Sequence, residues 1–126
     1  MRRQGPVEGN MLENSRHHQI KLGDLTVTMI SDGFIPANAD IFPTVDEDRL
    51  RAALEAADLP ASDPDLAPGE CELSVNAFII DDGTDVHLVD AGGTGMAPSL
   101  GKLIENMDAT GYRPEQVKNL IASHLH

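Results

Sequence analysis

At 126 residues, with 40% hydrophobic and 24% charged side chains, the chain has the makeup of one soluble globular domain rather than of a disordered segment. Nine Lys and Arg stand against 21 Asp and Glu, a formal net charge of -12, which argues against a phosphate-rich partner, and the expectation is no nucleic acid and no membrane as partner. With three Phe, one Tyr and no Trp, a core must rest on Leu, Ile, Val, Ala and Met, and the lone Cys71 excludes an internal disulfide.

Residues 1–18 are polar, carry Gly and Pro and show no hydrophobic period; they read as a flexible N-terminal arm preceding a domain over 19–126. Met1 and Met11 are both candidate starts. Arg2-Arg3 is followed by no apolar stretch, so no secretory or twin-arginine signal is expected and the default location is cytoplasmic. His17-His18 ends the arm, and adjacent side chains point apart, which makes a solvated pair the better reading than a chelating one.

"QIKLGDLTVTMISDG" predicts two strands around a Gly23-Asp24 turn, the second with Leu25, Val27 and Met29 on one face and Thr26, Thr28 and Ile30 on the other, ending at Ser31-Asp32-Gly33. A loop with Pro36 and Pro43 leads to a helix, "TVDEDRLRAALEAADLP". Thr44 and Glu47 have capping-box spacing, Leu50, Ala53, Leu54 and Ala57 form a stripe, and Pro60 is the stop. After the loop "ASDPDLAPGE", the nearly unbroken apolar run "CELSVNAFII" predicts a strand covered on both faces, with Asn76 in need of a partner. "DDGTD" turns it into "VHLVD". Pro98 opens a second helix carrying Leu100, Leu103, Ile104 and Met107, Gly111 closes it, and "RPEQV" gives one turn before a strand over Asn119–Ala122.

"LVDAGGTGMAPSLGKL" runs strand, glycines, helix, as phosphate loops do. It places Pro98 where a dinucleotide fingerprint wants Gly or Ala. Met96 stands where a P-loop wants its first Gly, and Leu103 where it wants Ser or Thr. A nucleotide site is therefore disfavoured. Asp90, closing "VHLVD", is either a turn former or a carboxylate that orients metal-bound histidines. His124 and His126 lie two residues apart in "NLIASHLH", so an extended backbone would aim both imidazoles at one point, and neutral imidazole is a good zinc ligand.

Taken together, "VNAFII", "VHLVDAGG", a helix and "GYRPEQVKNLIASHLH" resemble the metallo-β-lactamase superfamily, whose marker is H-x-H-x-D-H; "HLH" looks like its first half. "MISDG" and "SVNAFII" are similar to the branch of methyl parathion hydrolases and lactonases, extending the likeness back to about Gln19. The resemblance implies an α/β fold (α+β in some schemes): the N-terminal half of an αββα sandwich, mostly mixed β-sheet with two flanking helices. It implies a hydrolase of esters, lactones or phosphotriesters acting through a metal-bound hydroxide. It also implies two divalent metals, zinc foremost, and a small-molecule substrate. His124 and His126 would match ligands of the first metal and Asp90 the aspartate that supports their loop, while the loops after Gly33 and around Pro60 to Glu70 would border the substrate. His87 matches no ligand.

The Asp-His half of the motif is absent, so the expectation is a partial domain, truncated after His126 and inactive alone. Its uncovered sheet face would favour homo-oligomers or aggregation. The competing reading is a non-catalytic acidic module that binds a partner or itself.

Overall fold

The computed structural model describes residues 16–58 and 70–125. Two compact units are present, Met1–Gly33 with Ser74–His126, and Phe34–Leu73. One sheet of five strands runs through the described residues in the order β1-β2-β3-β4-β5. Its strands are β1 (His17–Leu22), β2 (Leu25–Ala37), β3 (Cys71–Asp81), β4 (Val86–Val89) and β5 (Val117–Ile121), with helices α1 (Glu47–Ala56) and α2 (Leu103–Thr110) between them.

In the first unit, β1 and β2 form an antiparallel hairpin with Leu22 opposite Leu25, closed as expected by the Gly23-Asp24 turn. The expected arm gives way to strand earlier than the sequence suggested: His17 pairs with Ile30 and His18 with Met29, so this pair belongs to β1, while residues 1–15 lie outside the described part. β3 and β4 are antiparallel, and β4 pairs in parallel with β5. A parallel pair needs a long crossover, which the loop after Asp90 and α2 supply. The sheet is accordingly mixed, with two helices, as expected.

Thr28, Ile30 and Asp32 are fully buried, although Leu25, Val27 and Met29 made the more apolar row. Packing overrode that row. Leu103 and Met107 of α2 sit against Ile30, Ala77, Ile79 and Leu88, and Val86, Tyr112 and Val117 flank this cluster. Full burial of each such side chain stabilises by about 1.5–3 kcal/mol. On the opposite face of the sheet lie Ile20, Leu22, Phe78 and Ile121, which are 49%, 61%, 39% and 48% exposed. β3 is therefore covered on one side, not two. Asn76 shares the open face with Phe78, is only half-buried and meets Ser74 Oγ at 3.5 Å, so the cost of a buried lone amide does not arise.

α2 starts at Leu103, five residues after the expected Pro98, because Gly101 holds φ +96, a value no helix allows. Leu100, Leu103 and Met107 are buried while Ile104 is 58% exposed, and Gly111 ends the helix in the left-handed conformation as its position foretold. The Pro114–Gln116 turn forms, and β5 begins two residues earlier than expected.

Within the second unit, α1 is capped by Asp46, whose Oδ1 accepts from Arg49 N at 2.8 Å. Thr44 does not serve as the cap. Leu50 is buried and Leu54 half-buried against Ala37, Ala39, Phe42, Val45 and Cys71, whereas Ala53 and Ala57 are exposed, so the apolar stripe is narrower than expected. The helix ends at Ala56; Pro60 and most of the loop around it lie outside the described residues.

Candidate metal centre

Asp90 follows the last residue of β4, and the segment after β5 brings Ser123 and His124 beside it. Asp90 adopts φ +64, a conformation that Asp tolerates better than most residues. Asp90 serves as a turn and strand-end group, its carboxylate fastened to the residues that follow β5. Its N–H donates to the Ile121 carbonyl at 2.8 Å. Its carboxylate accepts from Ser123 N at 2.7 Å and from Ser123 Oγ at 2.6 Å. The Ser123 hydroxyl, then the Ser123 amide, hold the Asp90 carboxyl below the usual carboxylate range. Ser123 Oγ also lies 2.9 Å from His124 Nδ1. The chain Asp90–Ser123–His124 is thus continuous, and it ties the exit of β5 to the end of β4.

His124 follows the strand, after a bend at Ser123, and is not part of the extended segment that the i, i+2 argument assumed. His126 lies outside the described residues, so its ring is not placed against that of His124.

A second carboxylate, which the sequence reading treated only as part of a strand end, anchors the loop between β4 and α2. Asp32 is wholly inaccessible to solvent. Its Oδ2 accepts from Gly93 N at 2.7 Å and its Oδ1 from Leu103 N at 2.9 Å, while its main-chain carbonyl accepts from Lys102 N at 3.1 Å. Lys102, the residue at the N-cap of α2, makes no side-chain cap bond, so Asp32 caps the helix from another strand. A β-carbon on Gly92 would stand 2.5 Å from Asp32 Cγ, which explains the glycine there. Next to it, Asn106 Nδ2 donates to the Ser31 carbonyl at 2.8 Å. The signal for Asp32 in the sequence was an acidic residue at the end of an apolar strand, a pattern that reads equally well as a turn.

Among the described residues, Asp82, Asp85 and His87 could also converge on a cation. Their contacts account for them without one. Asp82 Oδ1 accepts from the N–H groups of Thr84 and Asp85, its Oδ2 lies 3.1 Å from His87 Nε2, and Lys118 Nζ pairs with Asp85 at 3.0 Å. His87 Nδ1 meets Asn119 Nδ2 at 3.1 Å. The Asp85 amide first, then His87 and the Thr84 amide, hold the Asp82 carboxyl down to about 2. This group fastens the β3–β4 turn.

Residues 72–126 match the family model of the metallo-beta-lactamase superfamily. The structure superposes on hydrolase AbOPH, described as a member of the beta lactamase superfamily, with a TM-score of 0.72 and 27% identity over 87% of this chain. The fold is that of part of this beta lactamase superfamily hydrolase. AidC, a dizinc quorum-quenching lactonase solved with the product N-hexnoyl-L-homoserine, superposes with the same TM-score at 21% identity, again over 87% of this chain. The chain spans 36% of the length of each of these two proteins. No curated protein sequence matches it. Within the metallo-β-lactamase fold, the mixed sheet with its two helices corresponds to the half expected from the sequence. No helix among the described residues is long and apolar enough to cross a membrane.

Proposed function

We propose that this chain carries part of the metal site of a hydrolase that cleaves small-molecule esters, lactones or phosphotriesters, with zinc held by His124 and His126. The observation that carries the reading is the Asp90–Ser123–His124 hydrogen-bond chain at the end of the segment that matches the superfamily. Zinc-bound imidazoles are commonly held through their other ring nitrogen by a hydrogen-bonded oxygen, and Ser123 Oγ offers one to His124 Nδ1. His126 is assigned from the sequence motif alone.

When bound, the metal would supply Lewis acidity and lower the pKa of a coordinated water. The chain's own residues do the positioning. Asp90 orients Ser123, Ser123 orients His124, and Asp32 fixes the Gly92-Gly93 loop that follows Asp90. Catalytic zinc commonly takes three protein ligands, so turnover calls for a donor in addition to His124 and His126.

Calorimetric titration of the chain with zinc chloride tests the assignment. Zinc should bind the parent chain, and His124→Ala should weaken binding at least about tenfold, the order of loss seen when a zinc site's supporting contacts are removed. Equal affinity in parent and variant refutes it. A panel of ester, lactone and phosphotriester substrates then defines the bond cleaved.

A second reading has an observation of its own. The exposed row Ile20, Leu22, Phe78 and Ile121 could hold a partner or another copy of the chain. Light scattering across a concentration series distinguishes them: association that zinc leaves unchanged and that Phe78→Ser abolishes favours a binding module.

A further inference from the structure

Both ring nitrogens of His87 have partners, and the two partners make opposite demands. On one side stands Asp82. Its Oδ1 accepts from Thr84 N at 2.9 Å and from Asp85 N at 2.7 Å, which fixes the carboxylate so that Oδ2 meets His87 Nε2 at 3.1 Å. A carboxylate only accepts, so Nε2 carries a hydrogen. On the other side Asn119 Nδ2 stands 3.1 Å from Nδ1, and an amide nitrogen only donates. Nδ1 must then hold a lone pair, so the arrangement fits a neutral ring.

A second proton could enter only at Nδ1, where it would face the Asn119 N–H group at 3.1 Å, donor against donor. The amide has a way out. A half-turn about its last rotatable bond exchanges nitrogen and oxygen, which have nearly the same shape, and brings Oδ1 round to accept from Nδ1–H. Among the described residues the Asn119 side chain makes no bond except the one to His87, so no other partner opposes the turn. The Asp82 bond survives the change, because the charge that the ring gains meets a carboxylate.

We propose that His87 and Asn119 form a proton-operated switch on the open face of the sheet, in which protonation of the ring turns the Asn119 amide over. With the ring neutral, the outer end of the amide is an oxygen that accepts. With the ring charged, the outer end is an NH2 group that donates. Register places the pair on that face: His87 lies between Ile80 of β3 and Asn119 of β5, and two residues on Val89 lies between the exposed Phe78 and Ile121. The parallel ladder is irregular between Val86 and His87, so the side-chain bridge joins β4 to β5 where their main-chain pairing is disturbed. The switch goes beyond the metal reading and does not depend on it.

The neighbouring groups leave the ring as the part that responds. The β3–β4 turn contributes Asp82 and Asp85, and β5 contributes Lys118, which pairs with Asp85 at 3.0 Å. β3 sets the uncharged Ile80 opposite His87, and Asp81 at its end accepts from the Tyr112 hydroxyl at 2.8 Å. The Asp85 amide first, then His87 and the Thr84 amide, hold the Asp82 carboxyl down to about 2, so it stays charged across the span from about pH 5 to 8 in which histidine side chains change state.

NMR of the chain labelled with nitrogen-15 and carbon-13, titrated from about pH 8 down to about pH 5, tests the switch. At the upper end His87 Nε2 should give a pyrrole-type shift and Nδ1 a pyridine-type shift, with a scalar coupling between Nδ1 and Asn119 Nδ2 across their hydrogen bond. As the ring takes up its proton, a coupling from Nδ1 to Asn119 Cγ should replace it, and the Asn119 NH2 resonances should move with the midpoint of His87. The Asn76 amide, which meets Ser74 Oγ instead, is the control and should not share that midpoint. Asn119→Asp, whose side chain only accepts, should raise the His87 midpoint. Backbone amide spectra at each pH establish that the chain stays folded. A neutral ring protonated on Nδ1, or a charged ring whose Nδ1 shows no bond to the Asn119 carbonyl, overturns the proposal, and the parent chain alone decides both.

Discussion

Asp32→Ala removes the acceptor for two N–H groups, the half-buried one of Gly93 and the buried one of Leu103, at 2.7 and 2.9 Å. Each orphaned donor costs about 1–3 kcal/mol, so the gross loss is about 2–6 kcal/mol. Part is recovered because a carboxylate no longer has to be stripped of water, which puts the expected destabilisation in the lower part of that range, about 2–4 kcal/mol. That is a large share of the roughly 5–15 kcal/mol typical of a domain. The assay is urea unfolding followed by circular dichroism, with hydrogen exchange at Gly93 and Leu103 to localise the loss. A coupled variant sharpens the test. In the parent, Gly92→Ala brings Cβ to 2.5 Å from Asp32 Cγ at a residue with φ +79. In the Asp32→Ala background the collision is gone and only the backbone strain remains, so the two substitutions should be non-additive by about 1–3 kcal/mol. A loss below about 1 kcal/mol for Asp32→Ala, set against the cost of even one orphaned donor, would refute this account. So would additivity within about 0.5 kcal/mol.

Gly33→Ala would place Cβ 1.8 Å from the Ser99 carbonyl oxygen at φ +118; overpacking and backbone strain together predict a loss of about 2–6 kcal/mol by urea unfolding. Gly83→Ala, at φ +90 with open space around it, should show the strain alone, about 1–3 kcal/mol. Asp46→Ala should destabilise α1 by about 1 kcal/mol and Thr44→Ala should leave it unchanged, because Asp46 is the residue that accepts from Arg49 N; the reverse order would restore the capping box read from the sequence. Tyr112, the chain's single tyrosine, should titrate above 10.0: burial first, then the bond to Asp81 at 2.8 Å, disfavours the phenolate. Its raised value means the stabilisation is complete below 10.0 and is lost as pH rises through the folded value. Phenolate absorbance measures this, and Asp81→Asn should bring the midpoint part of the way down.

Local chemistry was legible in the chain itself. The Gly23-Asp24 hairpin, the strands on either side of "DDGTD", the stop at Gly111 and the approach to His124 each follow from turn residues and short hydrophobic periods, whose causes lie within a few positions of their effects. The order of motifs likewise carried the likeness that the superfamily match over 72–126 bears out. What depended on distant partners was not legible. Thr28, Ile30 and Asp32 became the buried row because α2 covers that side of β2, and no periodicity within β2 states which side a helix from residues 103–110 will choose. Asp32 looked like the end of a strand because its two acceptor roles lie 61 and 71 residues away. The role of Ser123 was hidden for the same reason: a serine before a histidine is unremarkable until the fold brings Asp90, 33 residues earlier, within 2.6 Å of its hydroxyl. Sequence determined which short segments form and what chemistry they bear. Tertiary structure alone decided which polar groups meet, because a hydrogen bond acts over about 3 Å of space and takes no account of distance along the chain.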